Sequence, residues 1–332
     1  MKERRIFITA VGGDVSCAII RCIRDAFEDV FLVGCDSNEY ALGKLYVDKF
    51  YVAPKYSNEE EYCHFLRERC TEENVTYVWP VAEKEILLVS GMAEFFHEMS
   101  ISVLINKPDV LKISLSKYNT FLFLKSIGIK APETIRKDEV FDLRFPVIMK
   151  PDYGCGGKEL RILENMADYK RGREDADDSY VFQEKIGDKD REYTMGIISN
   201  GEIVQYIVFR RKLGFGSMSV FVETVDNEKF CFIAHKIAHG MKLNGCINVQ
   251  MREENGEYYV FEINPRISST AGFRHLLGFT DVVWWIQMLE GRFPEEKYNI
   301  PQGIVGMKSL NEVVLKGSYL KTFKEDIGGY QP

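Results

Sequence analysis

With 332 residues, 45% of them hydrophobic and 28% charged, the chain has an ordinary globular composition and is long enough for two or three domains. Its net charge of −7 argues against a general nucleic-acid binder, which would usually present a basic field, and favours small-molecule chemistry. Eight cysteines are scattered without a C-x-x-C pair or zinc spacing, and no segment approaches a signal-peptide core or a membrane span. These features predict a reduced, cytoplasmic protein with neither membrane nor nucleic-acid partners.

In chain order, residues 6–11 read as a buried strand, Gly12-Gly13-Asp14 as a turn, and 15–27 as a helix. A second strand over 30–34 ends at Cys35-Asp36. A glycine turn after one strand and an acid after the next form the layout of a nucleotide-binding crevice. The turn does not supply G-x-G-x-x-G, however, so tight strand–helix packing explains these glycines better than a dinucleotide does. Helix 59–70, strand 75–79, helix 83–96 and strand 101–105 continue the alternation. That pattern predicts a parallel sheet with helices on both faces, closing near Asn106.

Residues 109–127 read as a helical pair interrupted at Ser116-Lys117 and capped by Gly128. Strand 146–150 ends in Lys150 and leads into Tyr153-Gly154-Cys155-Gly156-Gly157-Lys158. Such a backbone can lie against phosphates, but it is not a Walker loop, and alone it is better explained as a ligand-free hairpin turn. Strand 180–186 carries Gln183-Glu184-Lys185. A long hairpin follows over 192–199 and 203–211, then strand 220–225 and helix 229–243.

A second hairpin, 246–251 and 258–263 around Asn255-Gly256, concentrates oxygen-bearing side chains. Strand alternation places Glu262 and Asn264 on one face, with Gln250 in reach from the opposite strand, and Phe261 and Ile263 on the other. Pro265 ends the ladder where Arg266 is presented. One carboxylate, two amide oxygens and a guanidinium suit a magnesium-nucleotide site. An edge hairpin with a solvated polar face explains the stretch equally well in isolation. Helix 281–289, with Trp284 and Trp285 as packing residues, and a last strand within 303–315 complete the chain.

The succession of these pieces is more specific than any one of them. A lysine ending a strand, a glycine-rich loop, Gln-Glu-Lys-Ile and a following acid, then N-V-Q (248–250) and F-E-I-N-P-R-I-S (261–268) form the pattern of the ATP-grasp superfamily. The closing segment resembles the carbamoyl phosphate synthetase large-subunit branch, and the resemblance runs from about residue 5 to about residue 289. It implies an α/β fold in which a Rossmann-like pre-ATP-grasp domain (1–106) precedes a two-part α+β ATP-grasp domain. The parts would be a lid and linker with the glycine loop (107–182) and a catalytic part with the metal site (183–332).

The same resemblance implies ATP with Mg2+, or Mn2+ in its place, and a role for each matching position. Lys117 and Lys150 would hold the nucleotide phosphates, and Gly154, Gly156, Gly157 and Lys158 would close over them. Gln183, Glu184, Lys185 and Ile186 would meet the adenine and Glu192 the ribose. Gln250, Glu262 and Asn264 would bind two metal ions. Arg266 would face the substrate and, with Lys150, act in catalysis. The implied reaction phosphorylates a carboxylate to an acyl phosphate, which an amine or similar nucleophile captures with release of ADP and phosphate. Carbamoyl phosphate synthetase carries two such copies and this chain has room for one, so a small-carboxylate or amino-acid ligase is the closer expectation, with a homodimer allowed.

Several residues keep competing explanations. Arg210, Arg211, Ser268 and Glu85 fit substrate contacts, but also a solvated hairpin end, a polar loop and a helix N-terminal acid. His235 and His239, four apart on a helix, read as surface or packing residues. A Rossmann-type NAD(P)-dependent dehydrogenase using the Gly12 turn and Asp36, and a non-catalytic ATP-binding protein, are the alternatives.

Overall fold

A computed structural model describes residues 3–154, 159–214, 216, 218–300 and 302–309. These fall into two compact units, one formed by residues up to 105 together with 266–296, the other by 106–265 together with 297–308. Residues 266–296, expected with the C-terminal part, therefore cluster with the N-terminal one.

The first unit opens with β1 (Arg4–Ile8), α1 (Asp14–Ala26), β2 (Val30–Asp36), β3 (Lys49–Val52), α2 (Glu59–Glu72), β4 (Tyr77–Trp79), α3 (Glu83–Gly91), α4 (Ala93–Glu98) and β5 (Ser102–Val103). The strands form a parallel sheet in the order β3-β2-β1-β4-β5, as the strand–helix alternation predicts. Phe7, Val33, Tyr62, Leu66, Val78, Val89 and Phe96 pack one face, joined by Cys35 and Cys70 as small apolar fillers. Burial pushes the Cys70 thiol up to about 12. No disulfide joins any of the seven described cysteines. The four-residue edge strand β3 has too short a pattern to be read in sequence.

The glycine turn is explained by close approach. Gly12 N–H donates to Asp36 Oδ2 at 2.8 Å, and Asn38 N–H to Asp36 Oδ1 at 2.9 Å. A Cβ at Gly12 would lie 2.9 Å from Asp36 Oδ2. The acid ending β2 is thus spent on its own turn, which counts against a dinucleotide ribose there.

The second unit contains two antiparallel sheets. α5 (Pro108–Leu115) and α6 (Lys117–Ser126) precede β6 (Thr134–Arg136), β7 (Val147–Pro151), β8 (Arg161–Leu163), α7 (Met166–Asp175) and β9 (Tyr180–Glu184). The four strands are ordered β6-β9-β7-β8, so β9 runs through the boundary expected between 182 and 183. Next come β10 (Glu192–Asn200), β11 (Val204–Leu213), β12 (Ser219–Thr224), α8 (Cys231–Gly240), β13 (Asn244–Glu254) and β14 (Glu257–Asn264). The helical pair breaks at Ser116, whose hydroxyl caps α6 by accepting from Asn119 N–H at 3.0 Å.

The chain then returns to the first unit with α9 (Ala271–Leu276) and α10 (Asp281–Leu289), before β15 (Val305–Met307). Trp285 is packed edge-on against Trp79, ring centroids 5.5 Å apart, as a core residue. β15 completes a six-stranded sheet ordered β14-β13-β10-β11-β12-β15. It realises part of the strand expected within 303–315, and residues beyond 309 lie outside the described ones. One face of this sheet, with Met195, Ile197, Val208, Val249, Val260 and Ile263, packs with Leu124 of α6 and Ile237 of α8. The apolar residues alternate along β10, β11 and β13, so the intervening positions line the opposite face. Among the described residues no helix is long and apolar enough to cross a membrane.

Candidate functional site

The second face of the six-stranded sheet is polar along β13 and β14, beside the buried apolar Phe209, Ile207, Ile198 and Cys246, and strand register arranges it in rows. Asn264 on β14 lies opposite Asn248 on β13, which lies opposite Gly196 on β10. The next row is Glu262, Gln250 and Thr194, and the third brings Arg252, Glu192 and Arg211 of β11 together. Side chains link the rows. Thr194 O–H donates to Asn248 Oδ1 at 2.8 Å, and Arg211 donates to Gln250 Oε1 at 2.8 Å. Asn264 is only 3% exposed. Neither its amide nor the Glu262 carboxylate bonds to another described side chain or backbone group, which leaves their oxygens available to a ligand.

One expectation about this hairpin is corrected. The pairing shifts after Gln250, so that Gln250 faces Glu262 while Met251 faces Val260, and Phe261 is the extra residue of a β-bulge. Val260 and Ile263 consequently both reach the core although three apart. Phe261 does not join Ile263; the Arg252 guanidinium lies 5.4 Å from its ring centroid, on the polar side.

Lys150 is the penultimate residue of β7, its side chain buried on the same face of the four-stranded sheet as Gln183 of β9, whose Oε1 accepts from Lys150 Nζ at 2.7 Å. Burial holds the lysine down at about 8; Glu262 pulls it up, Lys117 and Arg252 push it down, and Asp152 pulls it up. The Glu262 carboxylate of the six-stranded sheet is thus among the charges that act on Lys150. Lys117 opens α6, and its Nζ donates to the carbonyls of Asp152 at 3.2 Å and Gly154 at 2.8 Å. Asp152 anchors that helix. Its carboxylate accepts from Ser116 O–H at 2.9 Å and Tyr118 N–H at 2.8 Å. Gly156, Gly157 and Lys158, with Cys155, lie outside the described residues.

Other expected contacts are placed elsewhere. Glu184 alternates to the face opposite Lys150, where its carboxylate accepts from Arg144 N–H at 2.8 Å and pairs with the Arg144 guanidinium at 3.2 Å. Any adenine contact along Glu184, Lys185 and Ile186 would come from the backbone; the Lys185 amide donates to Pro146 O at 3.0 Å and Ile186 is buried. Glu192 is committed to Arg211 at 2.8 Å and Arg252 at 2.9 Å, so it acts as a buried counter-ion to both rather than standing ready for a ribose. Arg210 points away from Arg211 by strand alternation and pairs with Glu223, Nε to carboxylate at 2.9 Å.

In the first unit, Arg266 lies 3.7 Å from Glu83 and donates to Ile267 O at 3.1 Å. Ser268 is buried, accepting from Arg274 at 2.8 Å, and Arg274 pairs with Asp281 at 2.8 Å. Glu85 is also buried; Thr9 O–H, Tyr62 O–H and Ala82 N–H donate to it at 2.6, 2.7 and 3.2 Å. Burial raises its carboxyl above the usual range. Both side chains are hydrogen-bonded within their own fold.

Sequence reasoning missed Asn248 and Arg252. Both lie two residues from Gln250 on the same strand face, so the period-two rule applied along β13 would have found them. The fit to a magnesium nucleotide can be judged from this donor set. Lys117, Lys150, Arg211 and Arg252 outweigh Asp152, Glu192 and Glu262, which suits a polyanion, while Glu262 and Asn264 offer unengaged hard oxygens and the Gln250 and Asn248 oxygens, each already accepting one hydrogen bond, keep a second lone pair. Among the described residues no group of three His, Cys, Asp or Glu could hold a metal, so a cation here would depend on that mixed set and on phosphate.

Comparison with known proteins agrees with this architecture. The family described as ATP-grasp domain matches residues 114–270, and the PylC-like N-terminal domain family matches residues 6–104. The carbamoyl phosphate synthase large chain of Methanosarcina barkeri is 26% identical over 203 residues, 53% of this chain and 18% of that protein. The C-terminal section of the Aquifex aeolicus large chain is 28% identical over 173 residues, 44% of this chain and 31% of that one. The chain thus spans less than a third of either relative. Among solved structures, the ADP complex of N5-carboxyaminoimidazole synthetase from Staphylococcus aureus aligns with a TM-score of 0.73 at 17% identity, covering 92% of this chain and 82% of that one. The biotin carboxylase domain of Hydrogenobacter thermophilus 2-oxoglutarate carboxylase aligns with a TM-score of 0.75 at 15% identity, covering 92% and 74%. A parallel-sheet unit matched by the PylC-like N-terminal domain family thus precedes an ATP-grasp domain, matched over residues 114–270, whose two antiparallel sheets carry Lys150 and Glu262.

Proposed function

We propose that this protein is an ATP-dependent ligase that activates a carboxylate as an acyl phosphate and joins it to an amine or similar nucleophile. The observation that carries this reading is the polar strand face on which Gln250 stands opposite Glu262 with Asn264 beside it, together with the buried Lys150 of the four-stranded sheet. Relatives and structural neighbours support the general chemistry, including the ADP complex of an N5-carboxyaminoimidazole synthetase. Carbamoyl phosphate synthesis itself is not proposed, because the chain spans 18% of the Methanosarcina relative.

In this reading Lys117 and Lys150 bind the phosphates, and the backbone of residues 184–186 meets the base. Glu262, Asn264 and Gln250 hold Mg2+, or Mn2+ in its place, and the metal supplies neutralisation of charge on the transferring phosphoryl group. Arg266 orients the carboxylate. Arg211 and Arg252, neutralised in part by Glu192, keep the region positive without an exposed unpaired charge. The setting is a reduced cytoplasm, and a homodimer is the proposed assembly.

The test is ADP release with Mg-ATP across a panel of carboxylates, with and without amino acids. Acid-dependent ADP release that rises with an amine supports the ligase. Nucleotide binding without turnover for any pair would favour a non-catalytic ATP-binding protein. Thermal stabilisation by NAD(P) and none by Mg-ATP would overturn the reading.

A further inference from the structure

Gln183, expected among the nucleotide-binding residues, has its side chain engaged within the four-stranded sheet. The amide is 3% exposed and sits between two partners. Lys150 Nζ donates to its Oε1 at 2.7 Å, and its Nε2 donates to Thr134 Oγ1 at 2.8 Å. Thr134 in turn donates its hydroxyl proton to Pro132 O at 2.9 Å. Thr134 stands directly opposite Gln183 across the β6–β9 ladder, and Lys150 stands one same-face step from Gln183's opposite number on β7. Three strands therefore contribute one chain of hydrogen bonds.

The direction of that chain is determined by chemistry. The Thr134 proton is given to a carbonyl, so the hydroxyl can only accept from the amide NH2. The amide is thereby prevented from flipping, and its oxygen must face Lys150. A flipped amide would aim two N–H groups at the ammonium and leave the Thr134 oxygen facing a carbonyl oxygen.

We infer that Gln183 and Thr134 are positioning residues that hold the Lys150 ammonium in one direction for the nucleotide phosphate. Their functional meaning rests on the nucleotide reading above. The other charged groups around Lys150 are Glu262 on β14, Arg252 on β13, Lys117 on α6 and Asp152 at the end of β7. None of them fixes the direction of the Nζ–H bonds, because none donates to or accepts from Nζ within hydrogen-bond reach. Gln183 is the one described residue that does.

The experiment measures Mg-ATP affinity, melting temperature and the NMR titration of the Lys150 side chain in Q183L, Q183E, T134V and T134S. The expected result is about tenfold weaker ATP binding in Q183L, equivalent to about 1.4 kcal/mol. T134V should show a smaller loss, T134S should restore affinity by keeping the hydroxyl, and Q183E should move the alkaline limit of binding upward. The Lys150 titration should shift down in Q183L and up in Q183E. Melting temperatures that fall equally in T134V and T134S, with unchanged affinity, would show a purely structural role and overturn the inference. So would a Lys150 titration in Q183L identical to that of the unaltered protein. That second readout needs no nucleotide, so it decides the inference even if the unaltered protein fails to bind ATP and the nucleotide reading falls.

Discussion

Gln250 and Glu262 face each other directly across the β13–β14 ladder, and the bulge at Phe261 begins at the very next pair. A bulge kinks and twists its strand locally, re-aiming the side chains beside it. Here it lets Val260 and Ile263 both enter the core while Glu262 stays on the polar face. Without it, strict alternation from Val260 would carry Glu262 inward with the apolar residues.

Glu262→Gln keeps the shape of this face and removes its unpaired carboxylate. The expected outcome is a loss of Mg-dependent turnover on the order of 100-fold or more, with the melting temperature held or slightly raised. Steady-state ADP release as a function of Mg2+ is the measurement. Turnover at the level of the unaltered protein would remove Glu262 from the metal site.

Lys150 gives a signed pH dependence. Its folded-state value is lowered to about 8, against 10.5 for an ordinary lysine. Between those values the unfolded chain binds more protons at this residue than the folded one, so its contribution to stability rises with pH across that window. Nucleotide affinity should run the other way, falling as pH passes upward through about 8 and the ammonium is lost. Urea midpoints and ATP affinities at pH 7, 8 and 9, compared with Lys150→Met, isolate both slopes. The difference between the two proteins should vanish for neither quantity.

The Arg211–Glu192–Arg252 row should be costly to break. Glu192→Ala would leave two guanidinium groups without their shared carboxylate, in a region where Arg211 and Glu192 side chains are each 5% exposed. A destabilisation of about 3 kcal/mol is expected, read as a lower urea midpoint. Arg210→Ala, which breaks only a partly exposed pair with Glu223, should cost less than about 1 kcal/mol.

Ser116→Ala removes both the α6 cap and one Asp152 contact. About 1 kcal/mol of stability should be lost. ATP affinity should fall as well, because Lys117 is the first residue of that helix. Calorimetric binding beside thermal melts would separate the two effects, and a stability loss with intact affinity would count against a phosphate role for Lys117.

The local pattern was legible because it depends on short-range rules. Strand–helix alternation in residues 1–105, the break at Ser116 and the polar face carrying Gln250, Glu262 and Asn264 all follow from periodicities of two and 3.6. Short elements such as β3 and β8 offered too few residues for a period to show. The division between Arg210 and Arg211 was available from alternation alone, as was the position of Asn248 beside Gln250.

By itself, then, the sequence determined the longer strands, the polar face carrying Gln250, Glu262 and Asn264, and the order of lysine, glycine loop, hinge and E-I-N-P-R segment. Only the tertiary structure decided which polar side chains are available and which are occupied. Gln183 meets Thr134 from 49 positions away, Glu192 meets Arg252 from 60, and Gln250 meets Arg211 from 39. A buried hydrogen bond is satisfied by whichever group register and sheet order bring within about 3 Å, and those long-range pairings leave no trace in local spacing.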